Sequence, residues 1–249
     1  MQINSPFRCC DNYQKIVGIL TNYLFNNNPN CVLDDRYEQM RTLVNSPSPK
    51  WGTCAGFTIV QHSKDTLLQL PTGCFPGLAA CLQYSNLGHD LPYWIEVPNE
   101  KGRIMLVSQD PLRKKQCPGT ITLSSPFGMH SIDYRGKRVM TQMVDSLLNN
   151  GYSVYLTDFN KLYGTYQNKP VVFNCMRQLF ADILNREICF WEPTRIIAVG
   201  NVAKKALDQG VQAGIINTQG ILIKKIPHPN AHFCKNTKLS ELNNALATP

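Results

Sequence analysis

The stretch Ile104-Met105-Leu106-Val107-Ser108-Gln109-Asp110-Pro111 decides how this chain is read. Four consecutive apolar residues that end in polar turn formers mark a strand buried on both faces. The pattern recurs three times downstream. Val154-Tyr155-Leu156 leads into Thr157, Asp158 and Asn160, and Ile196-Ile197-Ala198-Val199 into Gly200 and Asn201. Ile221-Leu222-Ile223 opens a fourth strand, 221–226, that leads into His228-Pro229-Asn230. Helical patterns fall between the runs. Residues 137–149 place Val139, Met140, Met143, Val144, Leu147 and Leu148 on one side and close at Asn150-Gly151. Residues 171–188 form a long helix opened by Pro170, 201–208 a short one, and 238–246 a closing one. Strands alternating with helices predict an α/β fold: a short parallel sheet of about four strands, covered by helices on both faces as a three-layer α/β/α sandwich.

Upstream the pattern weakens. Residues 11–26 carry Ile16, Val17, Leu20, Tyr23 and Leu24 near helical spacing, and Asn26-Asn27-Asn28-Pro29-Asn30 ends that helix. A second helix is expected at 35–44. Residues 46–103 are rich in Pro, Gly and Cys with no clean period, so irregular structure with short strands or helices is expected. The chain divides on this reading into an N-terminal extension, 1–100, helical then irregular, and an α/β domain, 101–249.

With 249 residues, 43% of them hydrophobic, the chain can bury a sizeable core. No stretch approaches the roughly 18 apolar residues of a membrane span, and residues 1–10 lack the apolar core of a signal peptide. A cytoplasmic protein is expected, nuclear in a eukaryote. Ten cysteines are present without a CxxC pair, which favours reduced, mostly buried thiols over a metal site. Charge is uneven. Residues 1–100 hold 6 Lys/Arg and 8 Asp/Glu, a balance of −2, and the remainder holds 19 and 9, a balance of +10. The excess lies with the strand-end motifs and favours a polyanionic partner, nucleic acid above all. Solubility alone is the plainer explanation of the same lysines.

In an open parallel sheet, ligands bind at the carboxyl ends of the strands. Those ends here carry Gln109 and Asp110, then Thr157, Asp158 and Asn160, then Gly200 and Asn201, then His228 and Asn230. Each has a structural explanation: Asp110-Pro111 and His228-Pro229 suit turns, and Asp158 suits a loop cap. Their common edge makes the joint case for a site.

Taken in order, Ser108-Gln109-Asp110-Pro111, Tyr155-Leu156-Thr157-Asp158, Ile196-Ile197-Ala198-Val199-Gly200-Asn201-Val202-Ala203 and His228-Pro229-Asn230 resemble the motifs of the uracil-DNA glycosylase superfamily. The resemblance covers about residues 102–245 and implies a glycosylase-like domain that acts on double- or single-stranded DNA as a monomer, without metal or cofactor. It implies Asp110 and His228 as catalytic residues. Asp110 would orient water at the sugar C1′, and His228 would stabilise the leaving base. Gln109, Phe127, Asp158, Asn160 and Asn230 would hold a flipped base, Phe127 by stacking. Arg113, Lys114, Lys115, Asn201, His232 and Lys235 would meet the DNA backbone.

The chain also departs from that pattern. Asp158 stands where the family has a base-reading Asn. An Asn amide offers a donor and an acceptor, as uracil O4 and N3–H require, whereas an ionised Asp offers acceptors only. Asp158 protonated by burial, Asn160 two residues on, or a base other than uracil would each resolve this. Ser108 replaces the family's Gly, and Leu112-Arg113 replaces the aromatic–His pair that usually follows. Two other classes compete. One is a nucleic-acid-binding protein on a glycosylase-like scaffold that cuts nothing. The other is a nucleotide-handling α/β enzyme, for which the expected GxGxxG or GxxxxGK[ST] loop is missing.

Overall fold

Leu106, inside the run that decides the fold, is 1% exposed, and Ile104, Met105 and Val107 are buried with it. The computed structural model describes residues 68–71, 86–90, 92–111, 120–124, 126–128, 139–166, 169–170, 176–229 and 235–247. The helices expected at 11–26 and 35–44 lie outside the described residues. The strands and helices in chain order are β1 (Leu68–Pro71), β2 (Asn86–Asp90), β3 (Tyr93–Ile95), β4 (Gly102–Ser108), β5 (Thr120–Ser124), α1 (Val139–Asn149), β6 (Tyr152–Asp158), β7 (Tyr163–Tyr166), β8 (Lys169–Pro170), α2 (Arg177–Trp191), β9 (Arg195–Val199), α3 (Asn201–Gln212), β10 (Leu222–Ile226) and α4 (Lys235–Ala247). A 3-10 turn, Pro126–Gly128, follows β5.

The four strands expected from the apolar runs form one sheet in the order β10-β9-β4-β6, all parallel, and β3 adds a fifth, antiparallel strand at the β6 edge. The protein is therefore an α/β protein with a mostly parallel five-stranded sheet. The central strands β4, β6 and β9 are buried nearly end to end, as a strand covered on both faces requires. α1 buries Met140, Met143, Val144, Leu147 and Leu148, the i, i+3, i+4, i+7, i+8 stripe of an amphipathic helix. It packs on β6 and against α4, while α2 packs on β4 and against α3. Trp94 of β3 stacks on Tyr155 of β6 at 5.9 Å, and Tyr155 meets Trp191 at 5.4 Å, so large aromatics pin the edge strand to the sheet. Arg195 donates to the carbonyls of Ala245 and Leu246, filling acceptors that the last turn of α4 leaves open.

A second sheet, absent from the sequence reading, runs β1-β5-β2-β7-β8. Its strands are short, and β2 and β5 are parallel within an otherwise antiparallel set. Residues before position 100 thus enter both sheets: β1 and β2 join this one, and β3 the larger. Two helices also differ from expectation. Pro170 lies in β8, an edge strand that tolerates proline's missing N–H, rather than opening a helix. α2 starts at Arg177 and runs past Ile188 to Trp191, because Leu184, Ile188 and Trp191 keep one buried stripe. α3 continues beyond Asp208 to Gln212 through Gly210, where a Cβ would lie 2.5 Å from Ile216 Cδ1. Close packing, not a helix stop, is what that glycine serves. Among the described residues, no helix is long and apolar enough to cross a membrane.

Candidate active site at the carboxyl edge

The chain leaves β4 for β6 on one side, then returns past β4 to β9 on the other. The order of the sheet reverses between β4 and β9, and a crevice opens at the carboxyl ends of such a pair. On its β4 side, Ser108 is in register with Asp158. Pairing continues past both strands: Phe159 N–H donates to Ser108 O at 2.9 Å, and Asn160 N–H to Gln109 O at 3.0 Å. Gln109 and Asn160 are therefore neighbours, held by backbone rather than by side chains.

On the β9 side, Gly200 has φ 94° and ψ 166°, a region that essentially only glycine occupies. Its N–H donates to Ile226 O at 2.8 Å, joining the ends of β9 and β10. A Cβ at this position would lie 3.4 Å from His228 Cβ, so His228 folds back from β10 over the end of β9. Phe127 meets it there. The two ring centroids are 5.9 Å apart, tilted by 43°. Phe127 also sits at φ 56°, in the left-handed region, where a bulky side chain is strained. The turn that carries it packs on β6. β6 and β10 are separated by two strands, a span of roughly 14 Å at sheet spacing, so this turn reaches across the edge above the crevice.

The acidic residues group on the β4–β6 side. Gln109 Nε2 donates to Asp110 Oδ2 at 2.6 Å. Ser108 Oγ donates to Asp158 Oδ1, and both residues are buried. Burial holds the Asp158 carboxyl well above the usual carboxylate range; Asp90 and Asp110 push it the same way, against the Ser108 hydrogen bond and Lys161. Burial and Asp110 likewise raise the Tyr163 hydroxyl.

Beneath this edge lies a network that sequence reasoning missed. Lys161 and Glu187 form an ion pair of 2.6 Å with side chains 1% and 0% exposed. Lys161 Nζ also donates to Thr157 Oγ1 at 2.7 Å, and Thr157 Oγ1 to Glu187 Oε2 at 3.0 Å. His89 Nδ1 lies 2.6 Å from the Lys161 carbonyl, tying the second sheet to the same loop. Burial raises the Glu187 carboxyl, and Lys161 and Thr157 pull it partway back. The sequence offered one signal: Glu187 falls on the buried stripe of α2, where a carboxylate needs a partner.

Of the expected site residues, Gln109, Asp110, Asp158 and Asn160 gather on the β4–β6 side, and Phe127 and His228 on the β9–β10 side. The ends of β4 and β10 have β9 between them and lie about 10 Å apart. Asn201 begins α3 and accepts a hydrogen bond from Lys225 at 2.9 Å. Lys204, Lys205 and Lys225 line a shallow groove that starts at this helix end. Lys235 begins α4. Arg113, Lys114, Lys115, Asn230 and His232 lie outside the described residues. Among the described residues, no group of three or more His, Cys, Asp and Glu side chains is arranged to hold a metal ion. In comparisons with known proteins, no family model matches the chain and no curated sequence matches it.

Proposed function

We propose that the protein is a DNA glycosylase that hydrolyses the N-glycosidic bond of a deaminated or otherwise modified base, uracil or a relative, on a three-layer α/β/α scaffold of the uracil-DNA glycosylase kind. The sheet order supports the scaffold. Right-handed crossovers send the β4–α1–β6 helix to one face and the helices of the two following crossovers to the other, and the contacts of α1 with α4 and of α2 with α3 match that division. The observation that carries the reading is the strained Phe127 ring against His228, at the switch point that also gathers Gln109, Asp110 and Asn160. Strain of this sort persists where the surroundings over-determine a residue, and it clusters at ligand clamps.

The chemistry follows from these residues. A base swung out of its stack enters the crevice, and Phe127 offers a face for it. The C1′–N bond breaks with its electron pair leaving on the base, and the sugar takes on positive charge. His228 donates to the base oxygen that gains negative charge, a fixed dipole worth more inside a dry site than in water. Asp110 lies beside the sugar cation, orients a water and takes its proton as the oxygen joins C1′. Lys205 and Lys225 offer the DNA backbone cationic contacts in the groove at Asn201, where Lys204 is paired with Asp208.

A second reading is nucleic-acid binding without base release. One observation favours it: Gln109 Nε2 donates to Asp110 Oδ2, which competes with a water for that oxygen. Oligonucleotides carrying single uracil, hypoxanthine, xanthine, 5-hydroxymethyluracil or cytosine, in single and double strands, separate the two. Alkali-labile abasic sites, lost in Asp110→Asn and in His228→Ala, are the expected result. Salt-dependent binding with no abasic product from any substrate would reject catalysis in favour of the second reading.

A further inference from the structure

Asp158 occupies the register position that the family resemblance marks for reading the base, but its environment suits a different task. It is 2% exposed, its Oδ1 is held by Ser108, and its Oδ2 is buried with no hydrogen-bond partner among the described residues. Two residues on, the situation reverses. From Ser153 to Gly164, every residue but Asn160 is buried. Its amide makes no hydrogen bond among the described residues, while its backbone is fixed by the bond to Gln109 O at 3.0 Å. The next residue, Lys161, is locked by Glu187, Thr157 and the contact of its carbonyl with His89.

We infer that Asn160 is the side chain that reads the base edge, and that Asp158, paired with Ser108, is a buried support that fixes the end of β6 beneath it. The inference rests on the glycosylase reading and deepens it. A group that reads a base must be presented, unspent and held still. Asn160 satisfies all three, and its amide supplies the donor and acceptor that a carbonyl beside an N–H requires. Asp158 satisfies only the last. Ser108 supports the same assignment: its hydroxyl commits one carboxyl oxygen of Asp158 across the paired strands, where a glycine would leave that oxygen unheld.

The test compares base-release rates from uracil- and cytosine-containing duplexes in wild type, Asn160→Asp and Asp158→Asn, with denaturation midpoints measured alongside. Asn160→Asp removes the donor that faces a carbonyl and should lower the uracil-to-cytosine ratio by roughly 5- to 150-fold, the discrimination one well-made base contact supplies. It should leave the midpoint near that of wild type, because Asn160 is not buried. Asp158→Asn should change stability and leave the ratio where it was. A ratio that moves with Asp158→Asn, or that stays fixed in Asn160→Asp, overturns the assignment. No base release by wild type on any substrate would instead overturn the glycosylase reading, and this assignment with it.

Discussion

Replacing Lys161 with methionine should destabilise the protein by about 3–5 kcal/mol, the cost of removing one partner from a buried ion pair. The size follows from the surroundings. Lys161 and Glu187 are 2.6 Å apart with almost no exposed side-chain surface, so neither charge is hydrated. Methionine keeps most of the length of lysine and removes the charge, leaving the Glu187 carboxylate with only the neutral side chains of Thr157 and Tyr155. For a chain of this size, about 2–4 °C of midpoint accompanies each kcal/mol, so thermal unfolding should shift by roughly 6–20 °C. The deficit should depend on pH. Glu187 titrates above its ordinary range because it is buried, and loss of Lys161 removes what pulls it back. A carboxyl raised on folding takes up a proton, so stability is retained below the unfolded pKa and lost as pH rises through the folded one. The variant should therefore fall furthest below wild type near pH 8 and least at about pH 4.5, close to the ordinary glutamate value. Urea unfolding at both pH values measures this. Lys161→Met combined with Glu187→Leu should recover most of the loss, since well-packed apolar residues replace buried pairs at little or no cost. A single variant within about 1 kcal/mol of wild type, or a double variant no better than the single, would refute the reasoning.

Asp158→Asn should raise stability at neutral pH and lose that advantage as the pH falls below the usual carboxylate range, because burial raises the Asp158 carboxyl in the fold; melting curves across pH read this directly. Gly200→Ala should cost about 1–3 kcal/mol, from a backbone region that alanine rarely adopts, and should set a methyl in van der Waals contact, 3.4 Å, with His228 Cβ. Histidine NMR shifts report the new contact, and an unchanged His228 resonance would count against the packing described. Phe127→Gly should be more stable than Phe127→Ala by about 1 kcal/mol, since only alanine keeps the penalty of a positive φ, while both should lose base release; equal stability of the two would deny the strain.

The parallel strands of the larger sheet were legible because β4, β6 and β9 carry continuous apolar runs and β10 opens on one, and each polar residue after a run had to fall on one edge. α1 was legible for a similar reason, since Met140, Met143, Val144, Leu147 and Leu148 repeat at helical spacing. The second sheet was not. β2 reads Asn-Leu-Gly-His-Asp, a composition that on its own indicates a turn, and it becomes a strand by pairing with β5 and β7 far along the chain. Pro170 misled for the opposite reason: it carries a strong local signal that its place in an edge strand overrides. In the site, the pairing of Phe127 with His228 was beyond sequence, because it depends on a turn that reaches across the sheet. The Lys161–Glu187 pair was also hidden, since lysine and glutamate ordinarily read as surface.

The polar groups at the carboxyl edge divide by burial, and the division can be tested through function. Ser108, Asp158, Lys161, Glu187 and His89 are sealed, whereas Gln109, Asp110, Asn160, Phe127 and His228 retain exposed surface. A buried ion pair adds little net stability over an apolar pair of the same volume, so filling space does not explain why charge stands beneath this loop. Fixing the loop does. Lys161 is bound by its ammonium to α2 and β6 and by its carbonyl to β2, and Asn160 is the next residue back. An apolar pair would fill the same volume but could not tie position 161 to β6 and α2 by hydrogen bonds, as the ammonium does through Thr157 and Glu187. The Lys161→Met and Glu187→Leu double variant should therefore recover stability without recovering the uracil-to-cytosine selectivity of base release. If the selectivity returns along with the stability, the network is packing alone, and the position of Asn160 is set by its backbone bond to Gln109 without help from below.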